Sequence, residues 1–169
     1  MEHFMGRSYW AVVLTPENFL ITKQKGFKLQ GLKSTQKKKV RRIDVGDRML
    51  FYITEQQVFG AVATVTSAFF EDTTKVWSSH DVNEDFRYRV NIEPDFVLEE
   101  SEYIDAHQIV PRMDFVKKWI PEFWPLAFVG DLHIIPKVDL LLIESEMEKI
   151  HRRNPRKNNW GSKKSTKIS

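Results

Sequence analysis

The chain has no cysteine among its 169 residues, so disulfides and thiolate metal sites are excluded. Long apolar runs are missing as well. No stretch approaches the roughly 18 consecutive apolar residues that a membrane-spanning helix needs, and residues 1–7 lack the apolar core of a signal peptide. The expectation is a soluble, cytoplasmic protein with no membrane partner. Phosphate-cradling glycine motifs are absent: there is neither a P-loop nor a G-x-G-x-x-G. The five histidines (His3, His80, His107, His133, His151) are scattered and never fall at the H-x-x-x-H spacing of a metal site. No cofactor and no metal are expected, and no catalytic constellation stands out. His80-Asp81 is an adjacent acid–base pair, but it sits alone in a polar stretch. No internal repeat is present.

What the chain does have is apolar content and segregated charge. It is 41% hydrophobic and 12% aromatic, enough for one domain with a genuine core. The net charge is +3, but it is unevenly spread. Residues 23–48 carry ten Lys/Arg against Asp44 and Asp47, a local +8, and residues 151–169 carry seven with no acid, leaving −12 for the remainder. Clustered cations gain affinity for polyanions by releasing counterions from phosphates. A solvated loop and a solvated tail are the plainer reading of the same runs.

Hydrophobic pattern orders the chain. Residues 9–15 (YWAVVLT) read as a buried strand. Thr15 then caps a short helix with Pro16 at its first position, ending by Gly26. Residues 27–39 are polar, basic and aperiodic, and are read as a long loop. Val45-Gly46-Asp47 is a tight turn, residues 49–54 a strand, Glu55-Gln56-Gln57 a turn, and residues 58–70 a long strand in which Gly60 permits close backbone approach. Residues 71–85 form a polar excursion interrupted by Val76-Trp77. Residues 87–94 alternate as a strand, a short strand follows within 103–109, and residues 111–119 are read as a helix. Residues 136–151 give the clearest helix, with Leu140, Leu141, Ile143, Met147 and Ile150 on its apolar side. The expected organisation is one domain over residues 1–152 and a basic, flexible tail over 153–169. Strands adjacent in sequence predict an α+β fold: a small, curled, barrel-like sheet, mostly antiparallel, with flanking helices.

One ordered set of pieces carries a resemblance. It runs from Tyr9-Trp10 and Pro16-Glu17-Asn18 through Val45-Gly46-Asp47, Phe51-Tyr52, Phe59-Gly60-Ala61-Val62 and Phe70-Glu71-Asp72. Trp77, Arg87-Tyr88-Arg89-Val90 and the 124–130 stretch (WPLAFVG) complete it. Over residues 8–150 the set resembles the EVE domain family, including its small stand-alone archaeal and bacterial members. That family is similar in fold to PUA, ASCH and YTH domains, so the resemblance implies a PUA-like pseudo-barrel. Residues 59–90, with Val76-Trp77-Ser78, also look like the YTH version, which encloses a methylated adenine of RNA in aromatic side chains. The resemblance therefore implies a non-catalytic module that binds RNA or DNA and takes a modified base into a pocket. Two departures stand out. Stand-alone members commonly carry a tryptophan where this chain has Gln30, and a proline where it has Lys33. An amide offers a donor and an acceptor in place of a stacking face.

The candidate pocket residues are Trp10, Tyr52, Trp77 and Trp124 for stacking, with Asn18, Gln30 and Asp72 for the base edge. Each has an alternative role: barrel core for Trp10 and Tyr52, satisfaction of the helix N-terminus for Asn18, and an Asx turn for Asp72. The candidate phosphate contacts are Lys33, Lys37, Lys38, Lys39, Arg41 and Arg42, with Arg87 and Arg89 sharing a strand face beside Tyr88. Two competing functions stay open. One is an ASCH-like nuclease or esterase on the same fold. The other is a protein-interaction domain with a basic tail.

Overall fold

The computed structural model describes residues 6–154; the expected tail from residue 155 onward lies outside the described residues. The sheet begins with β1 (Tyr9–Leu14), whose side chains alternate between two apolar interiors. Trp10, Val12 and Leu14 enter one core and Ala11 and Val13 the other, as a period-two strand buried on both faces must. Thr15 caps α1 (Pro16–Gln24) by accepting the Asn18 backbone N–H at 3.2 Å, and Pro16 holds the first helical position. β2 (Leu29–Leu32) and a one-turn helix α2 (Lys37–Val40) follow. The meander then runs through β3 (Arg48–Ile53), β4 (Val58–Val65), β5 (Phe70–Glu71) and β6 (Tyr88–Val97). Shorter pieces complete the chain: β7 (Ile104–Asp105), α3 (Ala106–Ile109), β8 (Leu132–Ile134) and the terminal α4 (Lys137–Arg153).

The strand order is β2-β6-β4-β3-β1-β8, with β5 pairing β6 and β7 pairing β4. Every pair is antiparallel except β1–β3, which runs parallel with Tyr9 opposite Arg48. Register shifts at Phe51/Tyr52 and at Val62/Ala63 bend the middle strands, which curls the sheet. The concave face closes over Trp10, Phe19, Phe27, Phe51 and Ile92. Gly60 makes room there, because a Cβ at that position would lie 2.7 Å from the Phe19 ring. The convex face packs under α4, through Leu140, Ile143 and Met147, and under the single-turn helices of residues 110–128. This is the α+β architecture expected: a curled, mostly antiparallel sheet with flanking helices.

Three local expectations are corrected. The 27–39 stretch is not one loop: Leu29–Leu32 pairs with β6 across Asn91–Tyr88, and Ser34–Gln36 and α2 form turns of helix. The long strand from Val58 stops at Val65, because the Asn91 N–H of β6 goes to the Ser67 hydroxyl at 2.9 Å and not to a backbone carbonyl of the strand, and the chain resumes pairing only at β5. The helix expected over 111–119 is two single turns broken at Met113, whose backbone is extended; the buried Asp139 carboxylate accepts the freed N–H groups of Asp114 and Phe115 at 2.8 and 2.7 Å. The three-residue β8 had no expectation at all. None of the helices described is long and apolar enough to cross a membrane.

Candidate nucleic-acid interface

An arm of residues 72–87, between β5 and β6, folds back over β2 and the start of α1. Asn18 fastens it. With Thr15 already capping the helix, the Asn18 amide is free to grip Ser78 twice, donating to its carbonyl at 2.8 Å and accepting its N–H at 2.9 Å. The Ser78 hydroxyl also donates to Glu17 at 3.0 Å. The clasp puts Trp77 directly over Gly31. A Cβ on Gly31 would lie 2.4 and 2.5 Å from two ring carbons of the indole and 2.9 Å from the Phe86 Cβ, so only glycine permits this approach.

Beneath the indole lies a neutral polar chain. Trp77 Nε1–H donates to the Thr22 hydroxyl at 2.9 Å, Thr22 donates to Gln30 Oε1 at 2.8 Å, and Gln30 Nε2 donates to the Gly31 carbonyl at 2.8 Å. Thr22 and Gln30 are both fully buried. Gln30 therefore does not face a ligand as expected; it anchors the floor on which Trp77 rests. The Phe86 ring lies 5.9 Å from Trp77 at a 44° tilt. The Arg89 guanidinium lies over the indole, 5.2 Å from the ring centroid.

Two clefts flank this arrangement. The larger, about 290 Å³, is lined by Trp77 and Phe86 with Lys75, Arg87 and Arg89 against Asp81, Glu84 and Asp85. The smaller, about 100 Å³, lies between the α1 start and the Gly130-Asp131 turn and includes Asn18, Lys33, Ser78 and His80. Phe86 and Ser79 line both. Asp72 stands at the foot of the arm in an Asx turn, accepting the Thr74 N–H at 2.9 Å. That bond first, then the Thr74 hydroxyl and Arg89, hold its carboxyl below the ordinary range.

The other expected pocket residues lie elsewhere. Trp10 is wholly buried in the concave core, its indole N–H donating to Asp47 at 3.0 Å. The same carboxylate accepts the Ser8 and Asp44 N–H groups and so ties the 44–47 turn to the start of β1. Tyr52 is buried in the convex core, stacked on Phe128 at 4.3 Å; burial pushes its phenol up to about 12. Trp124 meets His107 edge-on at 5.1 Å and borders a separate apolar groove with Trp119 and Met113. For Trp10 and Tyr52 apolar packing takes the ring, because an inward strand position buries it in a core; Trp124 is half-buried and walls a groove distinct from the Trp77 cleft.

The expected phosphate contacts divide sharply. Arg89 is turned inward, 3% exposed, donating to the carbonyls of Phe86 and Thr74 and pairing with Asp72 at 3.4 Å. Arg87 immediately precedes β6; it is half-buried and chelates Asp85 through two 3.0 Å bonds. Lys33 is shared between Asp131 at 3.2 Å and Glu84 at 3.5 Å, with the Phe86 ring 5.8 Å away. Lys39 donates to the Leu132 carbonyl at 2.7 Å. Lys37, Lys38, Arg41 and Arg42 are exposed. Sequence reasoning missed Thr22 and Phe86 as builders of the site. Phe86 beside the arginine-bearing strand was visible, whereas Thr22 gave no signal, being one polar residue on a short helix. Among the described residues no three of His, Cys, Asp and Glu converge to hold a metal ion.

Comparison with known proteins follows the same geometry. The EVE domain model matches residues 8–121. A UPF0310 protein of Pyrococcus abyssi is 27% identical over 147 residues, covering 82% of this chain and 98% of that protein. The structure of the YTH domain-containing protein mmi1 with RNA is similar at a TM-score of 0.61 and 12% identity, over 88% of each chain. The YTH domain of a Zygosaccharomyces rouxii protein, solved in complex with N6-methyladenosine RNA, is similar at a TM-score of 0.58 and 14% identity, over 83% of this chain and 88% of that one. At these identities the likeness to the solved structures is one of fold.

Proposed function

This chain belongs to the EVE domain family, and we propose that it is a binding module, not an enzyme, that takes one unpaired and modified base of a nucleic acid into the Trp77 cleft. The observation that carries the reading is the Trp77 assembly. An indole is held from beneath by Thr22 and Gln30 and from the side by the Asn18–Ser78 clasp, and it walls a cleft of about 290 Å³. That volume sits at the lower end of small-ligand sites and suits a single base. The lining suits a base better than a phosphate. Asp81, Glu84 and Asp85 offer acceptor oxygens for ring and exocyclic N–H groups, and with Arg87 and Arg89 already engaged Lys75 is the one lining cation that makes no ion pair among the described residues. Likeness to two YTH domains solved with RNA, one of them carrying N6-methyladenosine, supports the ligand class. The phosphates are left to cations outside the cleft, so backbone contacts supply affinity and the cleft supplies choice.

The test is titration of matched oligonucleotides, modified and unmodified, at low salt. Base–aromatic stacking contributes about 1–3 kcal/mol. Trp77→Ala should therefore weaken binding of the preferred oligonucleotide by about 5- to 150-fold and erase discrimination between the two. Absence of binding at low salt sinks the reading, as does a Trp77→Ala protein that binds and discriminates like its parent.

A further inference from the structure

Cations that are far apart in sequence meet at the entry to β8. Lys33 follows β2 and pairs with Asp131 at 3.2 Å. Lys39, on α2, reaches the Leu132 carbonyl at 2.7 Å. The Phe115 ring packs 5.7 Å from His133, which brings the 115–118 turn onto the same edge. The His133 imidazole registers the convergence: burial first, then Lys39, and last Lys118 hold it below its ordinary pKa, against the Val129 backbone hydrogen bond and Asp131. Residues 131–133 are thus the seam joining three cation-bearing segments, and β1–β8 pairing is what makes the seam.

Beside Lys33 and Lys39, which are engaged, the edge carries cations that are not. Lys37, Lys38, Arg41, Arg42 and Lys118 are exposed and make no ion pair among the described residues. The neighbouring Lys117 pairs with Asp114 at 2.7 Å, so Lys118 is the available charge of that turn. The smaller cleft, with Lys33 at its wall, opens between this edge and the arm.

We propose that the α2–β8 edge, from Lys33 across Lys37 and Lys38 to Lys118, is a track for the phosphodiester backbone of the single strand whose base enters the Trp77 cleft. The inference rests on the base-binding reading above and adds to it the direction the strand takes and a phosphate-binding residue, Lys118, far from the basic segment of the sequence. The track binds phosphate only. It treats ribose and deoxyribose strands alike, and leaves their distinction to the cleft.

Salt dependence of binding reads the track directly. The full chain, Lys118→Gln, Lys37→Gln/Lys38→Gln and the control Lys28→Gln are titrated with one RNA and one DNA oligonucleotide of the same sequence between 50 and 200 mM salt. Lys28 is an exposed lysine paired with Glu93 at 2.8 Å, away from this edge. Removing one phosphate-binding lysine should lower the slope of log affinity against log salt by about 0.7, equally for RNA and DNA, with modified-base discrimination retained. Lys28→Gln should leave the slope as it was. An unchanged slope in Lys118→Gln overturns the track, and so does an equal drop in Lys28→Gln, which would mean diffuse charge. If the parent protein binds neither strand at any salt, the base-binding reading itself falls.

Discussion

Substitution of Gly31 by alanine gives the sharpest test of how the site is built. The added Cβ would lie 2.4 Å from Cζ3 and 2.5 Å from Cε3 of Trp77, and 2.9 Å from the Phe86 Cβ. Carbon atoms pack best at about 3.5–4.0 Å, so the overlap with the indole exceeds about 1 Å. Neither obstacle is a flexible tip. The indole is pinned by Thr22 at 2.9 Å and covered by Arg89, and Gly31 itself sits in register with Arg89 across β2–β6. Overpacking of this kind costs about 1–3 kcal/mol. Replacing a strand glycine returns about 0.5–1 kcal/mol through backbone entropy. The net expectation is a loss of about 1–2 kcal/mol, read as a lower urea midpoint at unchanged slope, with an altered near-ultraviolet signal from a displaced tryptophan. The double variant supplies the decisive comparison. In a Trp77→Ala background only the 2.9 Å approach to the Phe86 Cβ remains, and Gly31→Ala should cost clearly less than it does in the parent. A single Gly31→Ala protein as stable as its parent, with its tryptophan spectrum intact, would refute the placement of Trp77 on Gly31. The same cost in both backgrounds would refute it equally.

Further outcomes follow from the same arrangement. Thr22→Val should lower stability by at least about 2 kcal/mol, since it strands both the Trp77 N–H and the Gln30 carbonyl in a buried setting; an equilibrium unfolding curve within error of the parent would count against the network. Asn18→Ala removes both bonds to Ser78 and should raise amide exchange across residues 76–80 while leaving α4 protected; uniform protection argues against the clasp. For pH, His133 is held below its ordinary value of 6.5, by burial first. The unfolded chain then binds the extra proton between that value and the lower folded one, so this contribution is complete above pH 6.5 and lost as pH falls. Denaturation midpoints should decline from pH 7 towards pH 5, and His133→Gln should flatten the decline. The depressed carboxyls of Asp72, Asp85 and Asp105 act only at lower pH, nearer 3.8 and below, so the two windows separate.

Legibility in the sequence tracked how locally each element is determined. β1, α1, β3 and α4 carry their own signals in apolar periodicity, a Thr-Pro start and a long amphipathic stretch, and they stand within a residue or two of where pattern placed them. β2 was invisible because Gln30-Gly31 has neither β-branched bulk nor alternation. Its extended state depends on pairing with β6 some sixty residues later and on an indole that covers the glycine. β8, with only three residues, is defined by β1, and without it nothing in the sequence joins Lys118 to α2. The aromatic candidates were ambiguous for a different reason. A tryptophan at an inward strand position reads the same whether it lines a core or a pocket, and Trp10 lines the core. Trp77, isolated in a polar stretch, had no strand of its own to bury it. Arg87 and Arg89 alternate in sequence, but an arm that covers one and not the other is a tertiary fact.

On the proposed reading, affinity and choice are carried by parts that respond differently to solvent, and the reason is structural. At the arm, Arg87 is spent on Asp85 and Arg89 on Asp72 and two carbonyls, while Lys75 makes no ion pair among the described residues. The network that holds Trp77 contains no formal charge at all. The cations of the proposed track, Lys37, Lys38 and Lys118, are exposed to water, where a Debye length of about 8 Å at physiological ionic strength screens them. Raising salt should therefore weaken every oligonucleotide by a common factor and leave the ratio of affinities for modified and unmodified base constant. Were the discriminating contacts ionic, the ratio would fall along with the affinity. A ratio measured at two salt concentrations thus separates, without any mutation, discrimination by stacking on the indole from discrimination by the Asp81, Glu84 and Asp85 carboxylates that also line the cleft, and a constant ratio assigns the choice to the indole.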